Sequence, residues 1–357
     1  MRPSVSSSYY FCRLWLYGCS RCRKIFIRKI MTYKGYLVEE INGSFVGNIK
    51  DIDIPEVSDG KVLIKVKYSS LNYKDALASS GAKGVVRSYP FVPGIDVAGE
   101  IIETRSSKFS IGDEVIATGY KIGMSEFGGF GEIVHLPDNW VIKMPKNFSL
   151  YDAMTYGTAG LTAAASVKKI TDLCNFNSGP ALVSGSTGGV GSISVGILSK
   201  LGVEVHAITG KPDETEVLSK MGTKKIISRN DFMSEPVRAL DKGIYTSAVD
   251  TVGGNVLAKI ISLINNHGVV SCCGNVAGAS FESSVFPFIL RGIQLCGIDS
   301  AESPLDLKEN LWELLSNEWS LNLTNQTKTV KIGDIDKEID KILKGEQVGR
   351  VVIEHEV

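Results

Sequence analysis

Between Ala181 and Gly202 the chain reads ALVSGSTGGVGSISVGILSKLG, with its glycines where a short apolar run gives way to a helical pattern. Ser186, Gly188 and Gly191 fall on the three positions of a G-x-G-x-x-G spacing, with serine at the first. Phosphate chemistry needs such a joint. The first turn of a helix has N–H groups without intrahelical acceptors and carries partial positive charge. Gly188 lets the backbone approach a pyrophosphate, and Gly191 lets the helix pack closely on its strand. On its own the spacing is weak evidence, since a glycine-rich turn can bind nothing. Between a strand and a helix it predicts a dinucleotide cradle.

The tip of the next strand selects the dinucleotide. An NAD site usually places Asp or Glu about 20 residues on, for the ribose 2′-hydroxyl. Here EVHAI ends in Thr209, Gly210 and Lys211, with no carboxylate. A carboxylate would repel a 2′-phosphate, whereas a hydroxyl and an ammonium accept it. Lys225, opening the following strand, offers a second cation. The expected cofactor is NADPH.

The elements around the cradle follow from periodicity. From about residue 32 to residue 143 the chain is β-rich: KVLIKVKYSS, DVAGEIIET, DEVIATG and GEIVHL are short, β-branched and punctuated by Gly, Pro and Asp. A helix is expected near NYKDALASSG and another near LYDAMTYGTAGLTAAASVKKI. From Pro180 strands ALVSG, EVHAITG, KKIIS, TSAVDTVG, GVVSCCG and IQLCGID alternate with amphipathic helices, the pattern of a doubly wound parallel α/β sheet. After Ser300 the chain is expected to return to the first domain and end in a strand, GRVVIEHEV.

Composition excludes several classes. The 39 basic and 39 acidic residues cancel, so no charge imbalance points to nucleic acid or a membrane surface. No apolar run reaches the roughly 18 residues of a spanning helix. Residues 1–30 differ: they are rich in Arg, Ser and aromatics and have no acidic residue, which fits either a transit peptide or an upstream start with Met31 opening the folded domain. Cys12, Cys19 and Cys22 lie there, and the CxxC of Cys19 and Cys22 has no second pair to complete a zinc site. Cys174, Cys272, Cys273 and Cys296 read as reduced core cysteines.

The stretches SSLNYKDALASSG, YPFVPGIDVAGEI, YGTAGLTAA, VSGSTGGVGS, AVDTVGG and FPFILRGIQLCGIDS, in this order, resemble the medium-chain dehydrogenase/reductase superfamily. The likeness is nearest to its zinc-independent quinone oxidoreductase branch, in the acrylyl-CoA reductase group, and covers nearly everything after Met31. It implies a GroES-like β-rich catalytic domain (residues 31–152 and 301–357) and a Rossmann NADP-binding domain (153–300). Zinc-dependent relatives place a cysteine where this chain has Asn72–Tyr73 and GHE where it has Gly94-Ile95-Asp96. The four-cysteine cluster of those relatives is also missing, since no cysteine stands between Cys22 and Cys174. No metal is expected.

The resemblance also implies roles for individual residues. Tyr73 would lie beside the nicotinamide, as hydrogen-bond or proton donor or as a packing contact, with Asn72 and Asp75 flanking the cleft. Asp96 reads as a structural carboxylate capping backbone N–H groups. Thr187, Gly188, Gly189 and Val190 would form the pyrophosphate loop, and Thr209, Gly210, Lys211 and Lys225 would surround the 2′-phosphate. Asn275, Ile289 and Ser300 would approach the nicotinamide half, Asn275 standing where an apolar residue is expected. Arg87 in GVVRSYPFVPG could meet a CoA phosphate or simply be a surface arginine.

The implied activity is NADPH-dependent reduction of the C=C bond of a small enoyl-CoA thioester, acrylyl-CoA being the family-based substrate. The alternatives are quinone reduction and, in another class, a non-catalytic NADPH-binding sensor or structural protein. A small-molecule substrate, a homodimer paired along the cofactor-domain sheet edge and a cytoplasmic location are expected. Residues 1–30 leave mitochondrial or plastid targeting as the alternative.

Overall fold

The computed structural model describes residues 32–174 and 179–355; the basic extension, with Cys12, Cys19 and Cys22, lies outside them. Strands β1 (Thr32–Ile41) and β2 (Ser44–Asp53) form an antiparallel hairpin. Its turn, Asn42-Gly43, has both residues at positive φ, 53° and 79°. That is the twist a two-residue hairpin turn demands, and Asn-Gly supplies it at least cost.

The chain continues through β3 (Lys61–Ser70), α1 (Tyr73–Ser79), β4 (Asp96–Thr104), β5 (Glu114–Thr118), β6 (Ile133–Pro137), β7 (Val141–Lys143) and the long helix α2 (Leu150–Leu173). A second series follows: β8 (Ala181–Val183), α3 (Gly189–Lys200), β9 (Val205–Thr209), α4 (Thr215–Lys220), β10 (Lys225–Ser228) and α5 (Arg229–Met233). It goes on with β11 (Tyr245–Asp250), α6 (Gly254–Ser262), β12 (Ile264–Cys272), α7 (Phe286–Arg291) and β13 (Gln294–Gly297). Finally come α8 (Leu305–Ser316), β14 (Thr327–Lys331), α9 (Ile335–Leu343) and β15 (Arg350–Glu354).

These strands build two large sheets. One has seven strands, ordered β14-β15-β3-β4-β5-β7 with β6 paired to β3, so the late strand β15 lies beside the early strand β3. Alternate residues Val62, Ile64 and Val66 of β3 point into a core with Val97, Ile101 and Val115, the period of two expected along a strand. The other sheet has six parallel strands, β10-β9-β8-β11-β12-β13. Its order reverses between β8 and β11, and the crevice beyond the carboxyl ends of strands at such a reversal is where ligands bind in open α/β sheets. Helix α3 is buried nearly all round from Gly191 to Leu198, with Ile193, Val195, Ile197 and Leu198 fully inside and its serines small enough to pack there, as suits a helix between layers.

Helix α2 joins the two sheets. Ala153, Met154, Leu161, Ala163 and Val167 share one core with Val183 of the parallel sheet, Val352 of the other and Trp312 of α8. The helix breaks at Gly157, where φ is 51° and ψ −153°. A Cβ there would lie 2.3 Å from Ser70 Oγ, 2.5 Å from Asp96 Oδ2 and 2.8 Å from an Arg350 guanidinium nitrogen. Glycine is therefore required by conformation and by space together. Gly157→Ala is expected to cost about 2–4 kcal/mol in urea unfolding, more than an exposed positive-φ glycine such as Gly202.

Candidate active site

The loop from β8 to α3 is tightly wound. Gly185 has φ 59°, and a Cβ on Gly191 would meet the Gly185 carbonyl oxygen at 2.3 Å, so Gly191 is the close-packing glycine expected of the fingerprint. Gly188 is the N-cap of α3 and accepts its first intrahelical bond, from Ser192 N, at 2.9 Å. The N–H groups of Gly189, Val190 and Gly191 precede that bond and have no acceptor within the helix. Thr187 is buried, and its hydroxyl lies 3.1 Å from that of Thr209 at the tip of β9. Thr209 Oγ1 in turn accepts the Lys211 N–H at 3.0 Å. The side chains of the two loops thus meet at the reversal point, beside the free backbone donors that open α3. These donors and glycine-sized gaps fit a dinucleotide pyrophosphate.

Lys211 is half-buried and donates to the Gln347 carbonyl; burial pulls its ammonium below the usual range, against Glu214 and Glu346. Lys225 is not at this tip. Its register with His206, while Ser228 pairs with Thr209, puts it at the amino end of β10, about 10 Å away along the strand. The cation at the carboxyl end is Arg229, which sequence reasoning missed. Its guanidinium carbon lies 3.1 Å from where a Gly210 Cβ would be, and its side chain has no hydrogen bond or ion pair among the described residues. Strand register was the signal: the residue after KKIIS falls beside Thr209-Gly210.

The second half of the site begins at Asn72, the N-cap of α1. Asn72 Nδ2 donates to Asp96 Oδ2 at 2.7 Å and its backbone N–H to Asp75 Oδ2 at 2.8 Å. Asp75 also accepts the Ile95 N–H at 2.8 Å, so one carboxylate ties the start of α1 to the start of β4. Asp96 accepts from the Ser70 hydroxyl and from the Thr158 N–H, at 2.8 Å for the latter. Thr158 opens the second part of α2, so Asp96 caps backbone N–H groups at a helix start, where an anion is favoured. Both carboxylates are fully buried.

One guanidinium joins this cluster to the cradle. Arg350, 4% exposed, donates to Ser70 Oγ at 2.8 Å, the Thr155 carbonyl at 3.1 Å and Asn72 Oδ1 at 3.4 Å. The same side chain lies 3.0 Å from where a Gly189 Cβ would be, and the Gly349 N–H donates to the Thr187 carbonyl at 3.2 Å. The strand GRVVIEHEV is legible in the sequence; that the arginine at its start turns inward is not. Tyr73 stands at the first position of α1, 42% exposed.

The remaining expected residues are more scattered. Ser300 Oγ lies 2.6 Å from Thr162 Oγ1, one turn along α2 from Thr158. Asn275 is exposed, with its Cα against Gly253. Ile289 is 69% exposed on α7, and no described contact brings it to the cradle. Arg87 is exposed on the loop after α1, without a hydrogen bond or ion pair among the described residues. Cys174, Cys272, Cys273 and Cys296 are free and half-buried; burial pushes the Cys273 thiol up to about 12.

A β-rich domain carrying buried polar residues against a parallel sheet with a glycine cradle defines a two-domain dinucleotide oxidoreductase. Two family models match, "Alcohol dehydrogenase GroES-like domain" over residues 58–146 and "Zinc-binding dehydrogenase" over residues 189–317. A Bacillus subtilis protein named "Putative quinone oxidoreductase YhfP" is 40% identical, over 86% of this chain and 94% of its own. Its crystal structure with NAD bound superposes with a TM-score of 0.87, at 38% identity, covering 91% of this chain and 99% of that one. Acrylyl-CoA reductase AcuI of Ruegeria pomeroyi is 34% identical, over 88% of this chain and 96% of its own. The yhdH oxidoreductase of Salmonella enterica, solved in complex with NADP, has a TM-score of 0.85 at 32% identity, covering 91% and 99%. The chain belongs to the medium-chain dehydrogenase/reductase superfamily, in the group of these quinone oxidoreductase and acrylyl-CoA reductase relatives.

The zinc in the second model's name does not fit the residues present. Among the described residues no three His, Cys, Asp or Glu side chains converge as a metal site, and the oxygens of Asp75 and Asp96 are engaged by N–H and O–H donors. Burial, with Asp96 nearby, raises Asp75 to about 7. The folded chain therefore holds a proton there that the unfolded chain releases near pH 4. Folding stability from this group falls as pH rises from about 4 to about 7 and is flat above. The stability of Asp75→Asn relative to the parent, from urea unfolding at each pH, is expected to rise through that window and then level off.

Proposed function

We propose that this protein uses NADPH to reduce the C=C bond of a small α,β-unsaturated thioester such as acrylyl-CoA. Arg350 carries the reading: one side chain reaches both the cradle and Asn72, so dinucleotide and substrate segments are held in one frame. When bound, the nicotinamide supplies a hydride for the β-carbon, and a proton then joins the α-carbon to give the saturated thioester and NADP⁺. The chain's work is orientation and polar stabilisation, which together lower the barrier most in chemistry of this kind. Thr187 to Val190 take the pyrophosphate at the start of α3. Thr209, Gly210, Lys211 and Arg229 take the 2′-phosphate, Arg229 with the planar fork that lysine lacks. Tyr73 offers the exposed phenol beside Asn72, as hydrogen-bond donor or proton source for the enolate.

The thioester is favoured by the acrylyl-CoA reductase relative and by a basic loop. Lys83 and Arg87 are both exposed there and make no ion pair among the described residues. Quinone reduction is the second reading, supported by the name of the Bacillus subtilis relative. A two-fold pairing of chains along edge strand β13 is supported by Val285, Ile289 and Leu290, exposed at 63%, 69% and 61%.

NADPH oxidation followed at 340 nm with acrylyl-CoA and with a simple quinone decides between the readings. Turnover of the thioester and a loss of on the order of tenfold in kcat/KM for it in Arg87→Ala are expected. Turnover of the quinone alone moves the function to the second reading, and oxidation with neither acceptor sinks both. For the cofactor, Arg229→Ala is expected to raise KM for NADPH on the order of tenfold, about 1.4 kcal/mol, and to leave KM for NADH unchanged.

A further inference from the structure

The chain crosses between its two sheets through α2 and again through residues 298–304, which carry Ser300. The second crossing is gripped by Lys308 of α8, only 1% exposed. Its Nζ donates to the Thr118 carbonyl at the end of β5 and to the Ala301 carbonyl, at 2.8 Å each, and lies 3.3 Å from the centroid of the Tyr120 ring. All three partners are neutral. A buried cation without a carboxylate in contact is expensive, and burial pulls this ammonium down to about 7, with Glu302, Asp96 and Asp299 acting against the shift.

Tyr120 adds a second cost. Its φ is 50°, a region bulky residues occupy only when their surroundings over-determine it. The ring stacks on Trp140 at 5.5 Å, its hydroxyl donates to the Ser303 carbonyl at 3.1 Å and its N–H to the Ala301 carbonyl at 2.9 Å. On one side Lys121 pairs with Glu302 at 2.6 Å, and on the other a Gly119 Cβ would fall 2.8 Å from Ala301 Cα. Residues 118–121 and Lys308 thus enclose residues 301–303.

What the grip fixes is the residue just before it. Thr162 donates its single hydroxyl proton to the Thr158 carbonyl at 2.7 Å. In the 2.6 Å contact between the two hydroxyls, Ser300 must therefore be the donor. Its proton committed, Ser300 can only accept from a ligand, which suits an amide NH2 group.

We propose that Lys308 is a positioning residue: by locking the second crossing to the end of β5, it fixes Ser300 as a hydrogen-bond acceptor for the carboxamide of the nicotinamide half. This rests on the NADPH reading above. Charge on the ammonium strengthens all three of its contacts at once, while the adenosine half of the dinucleotide is held elsewhere, at β9 and β10.

The test is binding of NADPH and of 2′,5′-ADP, the adenosine half alone, to the full chain and to Lys308→Met, Tyr120→Leu and Tyr120→Phe. Lys308→Met is expected to weaken NADPH about tenfold and 2′,5′-ADP less than twofold. Tyr120→Leu is expected to follow it, and Tyr120→Phe, which keeps the ring, to recover most of the loss. Unchanged NADPH affinity in a cooperatively folding Lys308→Met overturns the proposal, as does equal weakening of both ligands. If Lys308→Met does not fold, Tyr120→Leu decides by the same two criteria. A parent chain that binds neither nucleotide overturns the NADPH reading, and this one with it.

Discussion

The buried carboxylate of Asp96 is the point on which the two halves of the molecule agree. It needs several donors to be tolerated at zero exposure. They come from Ser70 at the end of β3, from Asn72 ahead of α1, and from the N–H and hydroxyl of Thr158 where α2 restarts. Supplying Thr158 requires the break at Gly157, because an uninterrupted helix would consume that N–H. The break in turn leaves just enough room for Ser70, Asp96 and Arg350 to meet. A single anion therefore dictates the bend of the helix that joins the sheets.

Arg350 extends that constraint into the cradle. A guanidinium has five donors in a rigid fork, and here they are spread over Ser70, Thr155, Leu71 and Asn72. The cluster holds two carboxylates against one guanidinium, and burial, with Asp96 nearby, raises Asp75 towards neutrality. Polar clusters of this kind, fully hydrogen-bonded, give a cleft one geometry where an apolar filling would permit several.

Much of the architecture was legible in local pattern. The glycine cradle stood at the joint of ALV and a helix, the alternation after Pro180 became six parallel strands, and the final GRVVIEHEV became β15 beside β3. Asp96 as a capping carboxylate was legible because such a residue beside a Gly-Ile turn has few other uses. Lys225 was misplaced because composition gives a strand without its register, and in a four-residue strand three residues separate one end of the sheet from the other. Arg229 and Arg350 were overlooked for a related reason. An arginine at a strand end reads as solvated, and only long-range pairing shows what it faces.

Strand β15 has a bearing on how the protein is made. It inserts between β14 and β3, so the seven-stranded sheet is divided by a strand that leaves the ribosome after the entire six-stranded sheet. The parallel sheet can therefore close on itself during synthesis, whereas β3 must wait, its β15-facing edge open, for a partner about 280 residues downstream. The edge left waiting is short, Tyr68 to Ser70, but unpaired backbone held open that long invites pairing with other nascent chains. Chaperone dependence in this protein should therefore reside in the first domain, although the glycine loop belongs to the second.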